Sequence, residues 1–186
     1  MPKQGMEPLR RDALETATIA EIGAAGSLDV TVARIARRAG VSSALAHHYF
    51  GGKDQILASA MRRILRDFGA EVRAALRAAD GSRGRAEAII SASFAPSCFD
   101  PATVRAWMTL YAQAADRPDM QRLLRLYQRR LRSNLTHALR PLCATPEAAA
   151  DMLGALIDGL YLRAALGGES GATDTALAAL DTWIDR

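Results

Sequence analysis

The sequence contains few of the residues on which catalytic and metal-binding sites are usually built. Of its 186 residues two are cysteine and three are histidine, and aromatic side chains make up only 5%. Cys98 and Cys143 lie far apart without metal-ligand spacing, which is typical of a reducing compartment and excludes a disulfide scaffold. There is no cysteine–histidine cluster, no nucleophile with a plausible base and no glycine-rich phosphate loop. We therefore expect neither an enzyme nor a cofactor.

Long apolar runs are also missing. The best candidate, residues 152–168, is interrupted by Asp158 and Arg163, whereas a membrane-spanning helix needs about 20 consecutive apolar residues. The N-terminus is polar and charged, unlike that of a signal peptide. The sequence thus predicts a cytoplasmic protein with no membrane association.

The composition that remains favours helix. Apolar residues make up 49% of the chain, with Ala, Leu and Arg prominent and few β-branched runs. The net charge of +4 permits nucleic-acid binding without demanding it. We predict an all-α fold of about nine helices, in which an N-terminal three-helix head is joined by one long helix to a helical body.

The segment TVARIARRAGVSSALAHHYFGGK, at residues 31–53, predicts two short helices joined by a tight turn. Thr31 can cap the first helix, and Gly40 can end it in a left-handed conformation. Ser42 can then cap a second helix after a three-residue break. The apolar stripe of the first helix has helical spacing and consists of Val32, Ile35, Ala36 and Ala39. Helices joined so closely form a helix-turn-helix, whose second helix can enter the major groove of DNA.

Glycine, proline and capping residues mark the other predicted helices. A turn at 80–82 separates the long fourth helix from the fifth, and Asp100-Pro101 and Thr145-Pro146 are typical helix starts. Gly167-Gly168 is expected to close the eighth helix. Outside the motif, the predicted helices cover residues 9–25, 53–79, 86–94, 101–115, 118–139, 146–166 and 172–184.

Small and polar residues of the second motif helix are the candidates for contact with bases: Ser42, Ser43, Ala44, His47 and His48. Leu45 either touches a thymine methyl group or packs inward, and Ser42 either acts only as a cap or also contacts DNA. No Lys or Arg lies on this helix, so specificity must come from Ser and His hydrogen bonds, apolar contacts and DNA shape. Adjacent histidines point about 100° apart on a helix, which argues against a metal site.

The motif resembles the DNA-binding end of the TetR family of bacterial repressors. The matching features are a Thr, an IA pair, AGVS, an aromatic pair and a Lys, at 31, 35–36, 39–42, 49–50 and 53. The resemblance implies that Thr31, Tyr49 and Lys53 contact DNA phosphates, although Tyr49 could instead pack beside Phe50. Further phosphate contacts are possible at Lys3, Arg10 and Arg11.

The resemblance also implies a division of the chain by function. We place a DNA-binding domain at residues 1–52, with its motif at 31–50, and an effector-binding and dimerisation domain at 53–186. The last two helices are expected to pair with their copies in a second subunit, because Gly154, Ala155 and Gly159 keep one helix thin and Trp183 is apolar. Such a homodimer would read a palindromic operator in double-stranded DNA.

The second half of the chain resembles one branch of that family, the repressors of the pathway from choline to glycine betaine. The matching segments are RRLRSNL at 129–135 and LIDGLYLRAAL at 156–166. The resemblance implies that choline or betaine aldehyde releases the protein from its operator. The alternative is a TetR-type repressor that responds to another small molecule, such as a lipophilic compound.

A quaternary ammonium ligand needs aromatic faces, because no hydrogen bond can satisfy it. Trp107 and Tyr111 are spaced i and i+4, and Asp158 and Tyr161 are spaced i and i+3, so each pair shares one helix face. Together they could form a cage, or the aromatic residues could simply belong to the core. Asp158 is costly in an apolar segment without a partner. It could instead pair with Arg163 of a second subunit or with an arginine of the seventh helix.

Overall fold

The computed structural model describes residues 6–167 and 171–184, and within these ranges the chain is helical without a strand. The predicted all-α class is therefore confirmed. Lys3 and Gly168 lie outside the described residues. The nine α-helices of the described ranges are α1 (Met6–Ala25), α2 (Val32–Arg38), α3 (Ser43–Phe50), α4 (Lys53–Ala78), α5 (Gly81–Ser93), α6 (Pro101–Ala112), α7 (Pro118–Leu139), α8 (Pro146–Ala165) and α9 (Ala172–Ile184).

Three of the predicted helix boundaries need correction. Helix α1 begins at Met6, three residues before the predicted start. Helix α5 begins at Gly81, five residues before the predicted start, and the ion pair between Arg83 and Glu87 links this added segment to the next turn. Helix α6 ends at Ala112, and a short 3-10 helix, Ala114–Asp116, replaces its predicted last turn. A second 3-10 helix, Pro96–Phe99, was not predicted.

The first of two compact units consists of residues 1–65 and 100–124. Helix α6 packs against α1 in this unit, and the Arg105 Nε donates a hydrogen bond to the Gly23 carbonyl at 2.8 Å. A Cβ atom at Gly23 would lie 2.5 Å from the carbonyl oxygen of Ala102, so this close approach requires glycine. The core that results is shared by Leu14, Ile22, Ile35, Ala46, Ile56, Leu57, Ala106 and Leu110.

The second unit consists of residues 66–99 and 125–186. Helix α9 packs against α8 and α5 there. Its buried core includes Val72, Ile89, Ile90, Leu135, Leu153, Ile157 and Leu180. The compact units thus do not divide at residue 52, because α6 and the start of α7 share a core with the head. The functional division at 52/53 stays a prediction. No helix in the described part of the chain is long and apolar enough to cross a membrane.

Candidate DNA-binding and effector sites

The turn between α2 and α3 has the local structure that its sequence predicts. The Thr31 Oγ1 accepts a hydrogen bond from the Arg34 backbone N–H, and the Ser42 Oγ accepts one from Leu45, both at 3.2 Å. Gly40 has a φ of +67°, a conformation that residues with a Cβ atom rarely adopt. Both predicted caps and the left-handed stop are therefore confirmed.

Helix α3 exposes the side chains proposed to read bases. Ala46 is fully buried and anchors the helix to the core of the first unit. Leu45, Tyr49 and Phe50 are partly buried, and the latter two pack against the same core. The exposed residues in and just before this helix are Ser42, Ser43, Ala44, His47 and His48, and Thr31 is also exposed.

His47 takes part in ending helix α3. Its Nδ1 lies 3.1 Å from the Gly51 carbonyl oxygen, and its own carbonyl accepts the Gly51 N–H at 2.7 Å. A neutral ring that donates through Nδ1 keeps Nε2 as an acceptor. Such an acceptor matches the exposed amino groups of adenine or cytosine in the major groove.

A buried carboxylate holds α2 against α1. The Glu21 side chain is 7% exposed and receives the Arg38 Nε at 2.6 Å and the Arg34 guanidinium at 2.9 Å. The hydrogen bond from Arg38 is the main reason why the pKa of Glu21 lies below its ordinary value, and the two positive charges add to it. The helix that precedes the turn is thereby fixed by charge as well as by apolar packing.

Lys53 begins α4 directly after the recognition helix. Its Nζ lies 3.6 Å from Asp29 Oδ1, and that carboxylate is almost fully exposed. An ion pair of this kind in water contributes little to stability, so a DNA phosphate can replace Asp29 at small cost. Free N–H groups at the start of a helix also attract phosphate.

The first predicted effector pair lies on α6 in the first unit. The rings of Trp107 and Tyr111 meet edge to face, with centroids 5.7 Å apart and an interplanar angle of 65°. Trp107 is partly buried against the core of this unit, whereas Tyr111 is 38% exposed. The predicted pairing of these rings is confirmed, and their contact with a ligand stays a prediction.

The second predicted effector pair lies on α8 in the second unit, among further aromatic residues. The Tyr127 hydroxyl donates to Asp158 Oδ1 at 2.9 Å, and the Tyr161 hydroxyl donates to the Cys98 carbonyl at 2.9 Å. Phe99 packs against the Tyr161 ring with centroids 5.1 Å apart. Asp158 therefore pairs with a tyrosine of α7, not with an arginine of that helix.

Burial shifts the pKa values of Asp158 and Tyr161. It raises the pKa of Asp158, whereas the hydrogen bond from Tyr127 lowers it, and it raises the pKa of Tyr161 to about 12. Among the residues that the structure describes, no guanidinium or ammonium group pairs with Asp158. This carboxylate is thus partly desolvated and lacks a compensating positive charge.

Sequence reasoning missed Tyr127 as a functional candidate. Its edge-to-face contact with Phe68, at 5.7 Å between centroids, places the ring against the core of the second unit. The hydroxyl contact with Asp158 joins residues 31 positions apart, which no local spacing predicts. Trp107 and Tyr111 belong to the first unit and Asp158 and Tyr161 to the second, so a single cage of all four stays a prediction.

Comparison with known proteins identifies the family. Residues 15–60 match the family described as "Bacterial regulatory proteins, tetR family", and residues 82–186 match the "BetI-type transcriptional repressor, C-terminal" family. The chain belongs to the TetR family. It is a BetI-type member and a DNA-binding transcriptional repressor, because these matches cover both the head and the body.

Curated relatives agree with this assignment. The HTH-type transcriptional regulator BetI of Brucella suis is 49% identical over 186 residues, covering 99% of this chain and 94% of the relative. The BetI regulator of Agrobacterium fabrum is 48% identical and covers 100% of this chain and 91% of its own length. These relatives are transcriptional regulators and not enzymes, as the sequence predicts for this BetI-type repressor.

Solved structures share the fold. A transcriptional regulator from Pseudomonas aeruginosa PAO1 has a TM-score of 0.84 at 27% identity, covering 96% of this chain and 89% of that one. A transcriptional regulator from Saccharomonospora viridis, solved in complex with choline, has a TM-score of 0.73 at 21% identity and covers 95% of each chain. At that identity the second comparison shows the fold alone.

Proposed function

We propose that this BetI-type repressor binds a palindromic operator as a homodimer in the cytoplasm and leaves it when choline or betaine aldehyde binds. It would thereby control choline uptake and conversion to glycine betaine. DNA binding is supported mainly by one observation: helix α3 is capped and exposed. It presents Ser43, Ala44, His47 and His48 to solvent. Thr31, Tyr49 and Lys53 would hold the phosphates on either side of this helix.

The dimer half of the proposal is supported by an apolar stripe on α8. Met152 is 61% exposed, Leu162 43% and Leu166 75%, and the exposed Ala155 and Gly159 lie between them at helical spacing. Exposed apolar side chains in a continuous row are typical of an interface. Gly154 does not belong to this stripe, because a Cβ atom there would lie 3.9 Å from the Leu131 side chain of α7.

The effector half is supported by the unmatched charge of Asp158. A quaternary ammonium ion would supply the missing positive charge. The ring of Tyr127 beside this carboxylate, and that of Tyr161 one turn further along α8, would supply aromatic faces. Trp107 and Tyr111 offer a second pair of rings on α6. The solved regulator from Saccharomonospora viridis, which has a similar fold and holds choline, supports this proposal.

Calorimetry on the purified repressor tests the ligand, with choline and betaine aldehyde compared against glycine betaine and a plain aliphatic alcohol. We expect Asp158→Asn and Trp107→Ala each to weaken choline binding about fivefold to thirtyfold, roughly 1–2 kcal/mol. Both variants should bind operator normally without ligand. If the repressor binds its operator normally but gives no heat of binding with choline or betaine aldehyde, the choline hypothesis is wrong. That result would favour a repressor that responds to another small molecule, such as a lipophilic compound.

A further inference from the structure

Arg11 contacts the end of the recognition helix from a different element. It lies on α1, and its guanidinium carbon is 5.3 Å from the ring centroid of Tyr49 and 5.2 Å from that of Phe50. The Arg11 Nε donates a hydrogen bond to Glu7 Oε1 at 3.0 Å, one turn earlier on the same helix. One guanidinium therefore interacts with both final residues of α3 and is itself oriented by a carboxylate.

Helix α3 is fixed by one fully buried side chain and by its two final rings. It is eight residues long, Ala46 is its fully buried residue, and Tyr49 and Phe50 pack partly buried against the same core. So short a helix depends on tertiary packing for its stability and its direction. The stack of Arg11 on Tyr49 and Phe50 therefore adds to the core packing that holds the C-terminal end of the helix in place.

The Tyr49 ring also connects this stack to the DNA-facing surface. Its centroid lies 5.5 Å from that of the exposed His48 ring. A change in the orientation of Tyr49 would therefore move the His48 ring. It would also alter the phosphate contact that is proposed for the Tyr49 hydroxyl. Base readout tolerates only small errors of this kind, because hydrogen bonds to base edges depend on direction.

We infer that Arg11 is a positioning residue for operator recognition, which sets the orientation of α3 by stacking on Tyr49 and Phe50. The inference rests on the proposed role of α3 as the base-reading helix. Stacking and phosphate binding by Arg11 require different properties of its side chain. A phosphate contact needs positive charge, which lysine also has, whereas the stack needs the planar guanidinium.

The substitution Arg11→Lys separates these two roles, with Arg77→Lys, at an exposed arginine in the last turn of α4, as the control. We expect Arg11→Lys to weaken operator binding about tenfold, as loss of a partly buried cation–π contact implies. Binding to unrelated DNA and the salt dependence of operator affinity should stay unchanged, because the charge is kept. Arg77→Lys should alter none of these quantities.

Histidine NMR signals provide a readout that does not depend on DNA. The chain has three histidines, of which His47 and His48 lie on α3 and His137 lies on α7. Arg11→Lys should move the His48 ring signals and leave those of His137 in place. Glu7→Gln, which removes only the partner that orients Arg11, should give a smaller shift and a smaller loss of affinity in the same direction. If Arg11→Lys fails to fold, the Glu7→Gln variant is used for the same measurements instead.

The inference is overturned if Arg11→Lys keeps operator affinity within about twofold and leaves the His48 signals unmoved. It is also overturned if Arg11→Gln weakens operator and unrelated DNA equally and lowers the salt slope by about one, the signature of a phosphate contact. A wild-type chain that binds no palindromic DNA would contradict the proposed function instead, and the His48 signals would still report on the stack.

Discussion

Lys53 illustrates how one side chain can contribute to affinity without reading sequence. Its ammonium group pairs at 3.6 Å with the exposed Asp29, which a phosphate can displace. We expect Lys53→Ala to weaken binding to every DNA sequence alike and to lower the salt slope by about one. Titrations against operator and unrelated DNA at several salt concentrations measure both effects.

Asp29→Asn is the matched control for that substitution. It leaves the lysine in place and removes its competitor, so DNA affinity should rise slightly with an unchanged number of phosphate contacts. If Lys53→Ala leaves affinity and salt slope as they are, the start of α4 does not lie at the phosphate and the proposed docking is wrong.

Ser43 and His47 should behave in the opposite way. Both are exposed on α3, and a neutral His47 ring that donates from Nδ1 to the Gly51 carbonyl has Nε2 as an acceptor. Ser43→Ala or His47→Ala should change the preferred base pairs, by ~1–3 kcal/mol at the affected positions. Selection from randomised half-sites measures this preference. An unchanged consensus in both variants would mean that α3 is not the reading helix.

At the scale of the element, Glu21 decides how firmly α2 is held before the turn. Its carboxylate is buried and binds the guanidinium groups of Arg34 and Arg38. We expect Glu21→Gln to lower the free energy of unfolding by about 1–3 kcal/mol at neutral pH, the usual range for a hydrogen-bonded buried charge. Glu7→Gln, which breaks an exposed ion pair on the same helix, should cost much less.

The pH dependence of that loss follows from the direction of the pKa shift. The pKa of Glu21 is lower in the folded chain than its ordinary value of 4.5. Its contribution is therefore complete above about pH 4.5 and is lost as the pH falls through the folded pKa. Denaturant unfolding at neutral and acid pH should show the difference between Glu21→Gln and wild type shrinking in acid. A difference independent of pH would mean that charge is not what holds α2.

Most elements could be predicted because their signals are local. Thr31 and Ser42 form the caps that their position before an apolar stripe predicts, and α7 and α9 begin and end at the predicted residues. The start of α5 was predicted wrongly, because Asp80-Gly81-Ser82 has the composition of a turn although the helix already begins at Gly81. Composition alone does not distinguish a turn from the first residues of a helix.

At the scale of the whole molecule, the contacts that could not be predicted from the sequence are the long-range ones. The approach of α6 to α1 at Gly23, the Tyr127–Asp158 hydrogen bond and the stack of Arg11 on Tyr49 each join separate helices. Residue types and spacing identified Asp158, Arg11 and Tyr49 as candidates at these places, but not Tyr127 or Gly23. Only tertiary structure shows which of them meet.

The proposed homodimer can be tested by substitutions in the exposed apolar stripe of α8. Sedimentation at low micromolar concentration should give roughly twice the 19.9 kDa mass of the chain. Met152→Glu and Leu162→Glu place charges in the proposed interface and should shift the protein toward monomer, because each buried carboxylate would lack a partner. Leu126→Glu is the control, since Leu126 is an exposed apolar residue of α7, outside the stripe.

Loss of the dimer should also weaken binding to the palindrome, by on the order of 100-fold or more, because two linked heads gain from effective concentration. Affinity for an isolated half-site should change little in the same variants, since α3 and its supports are untouched. DNase protection of the full palindrome compared with a single half-site measures both quantities. A monomeric Met152→Glu variant that protects the palindrome as well as wild type would show that operator recognition does not need the α8 interface.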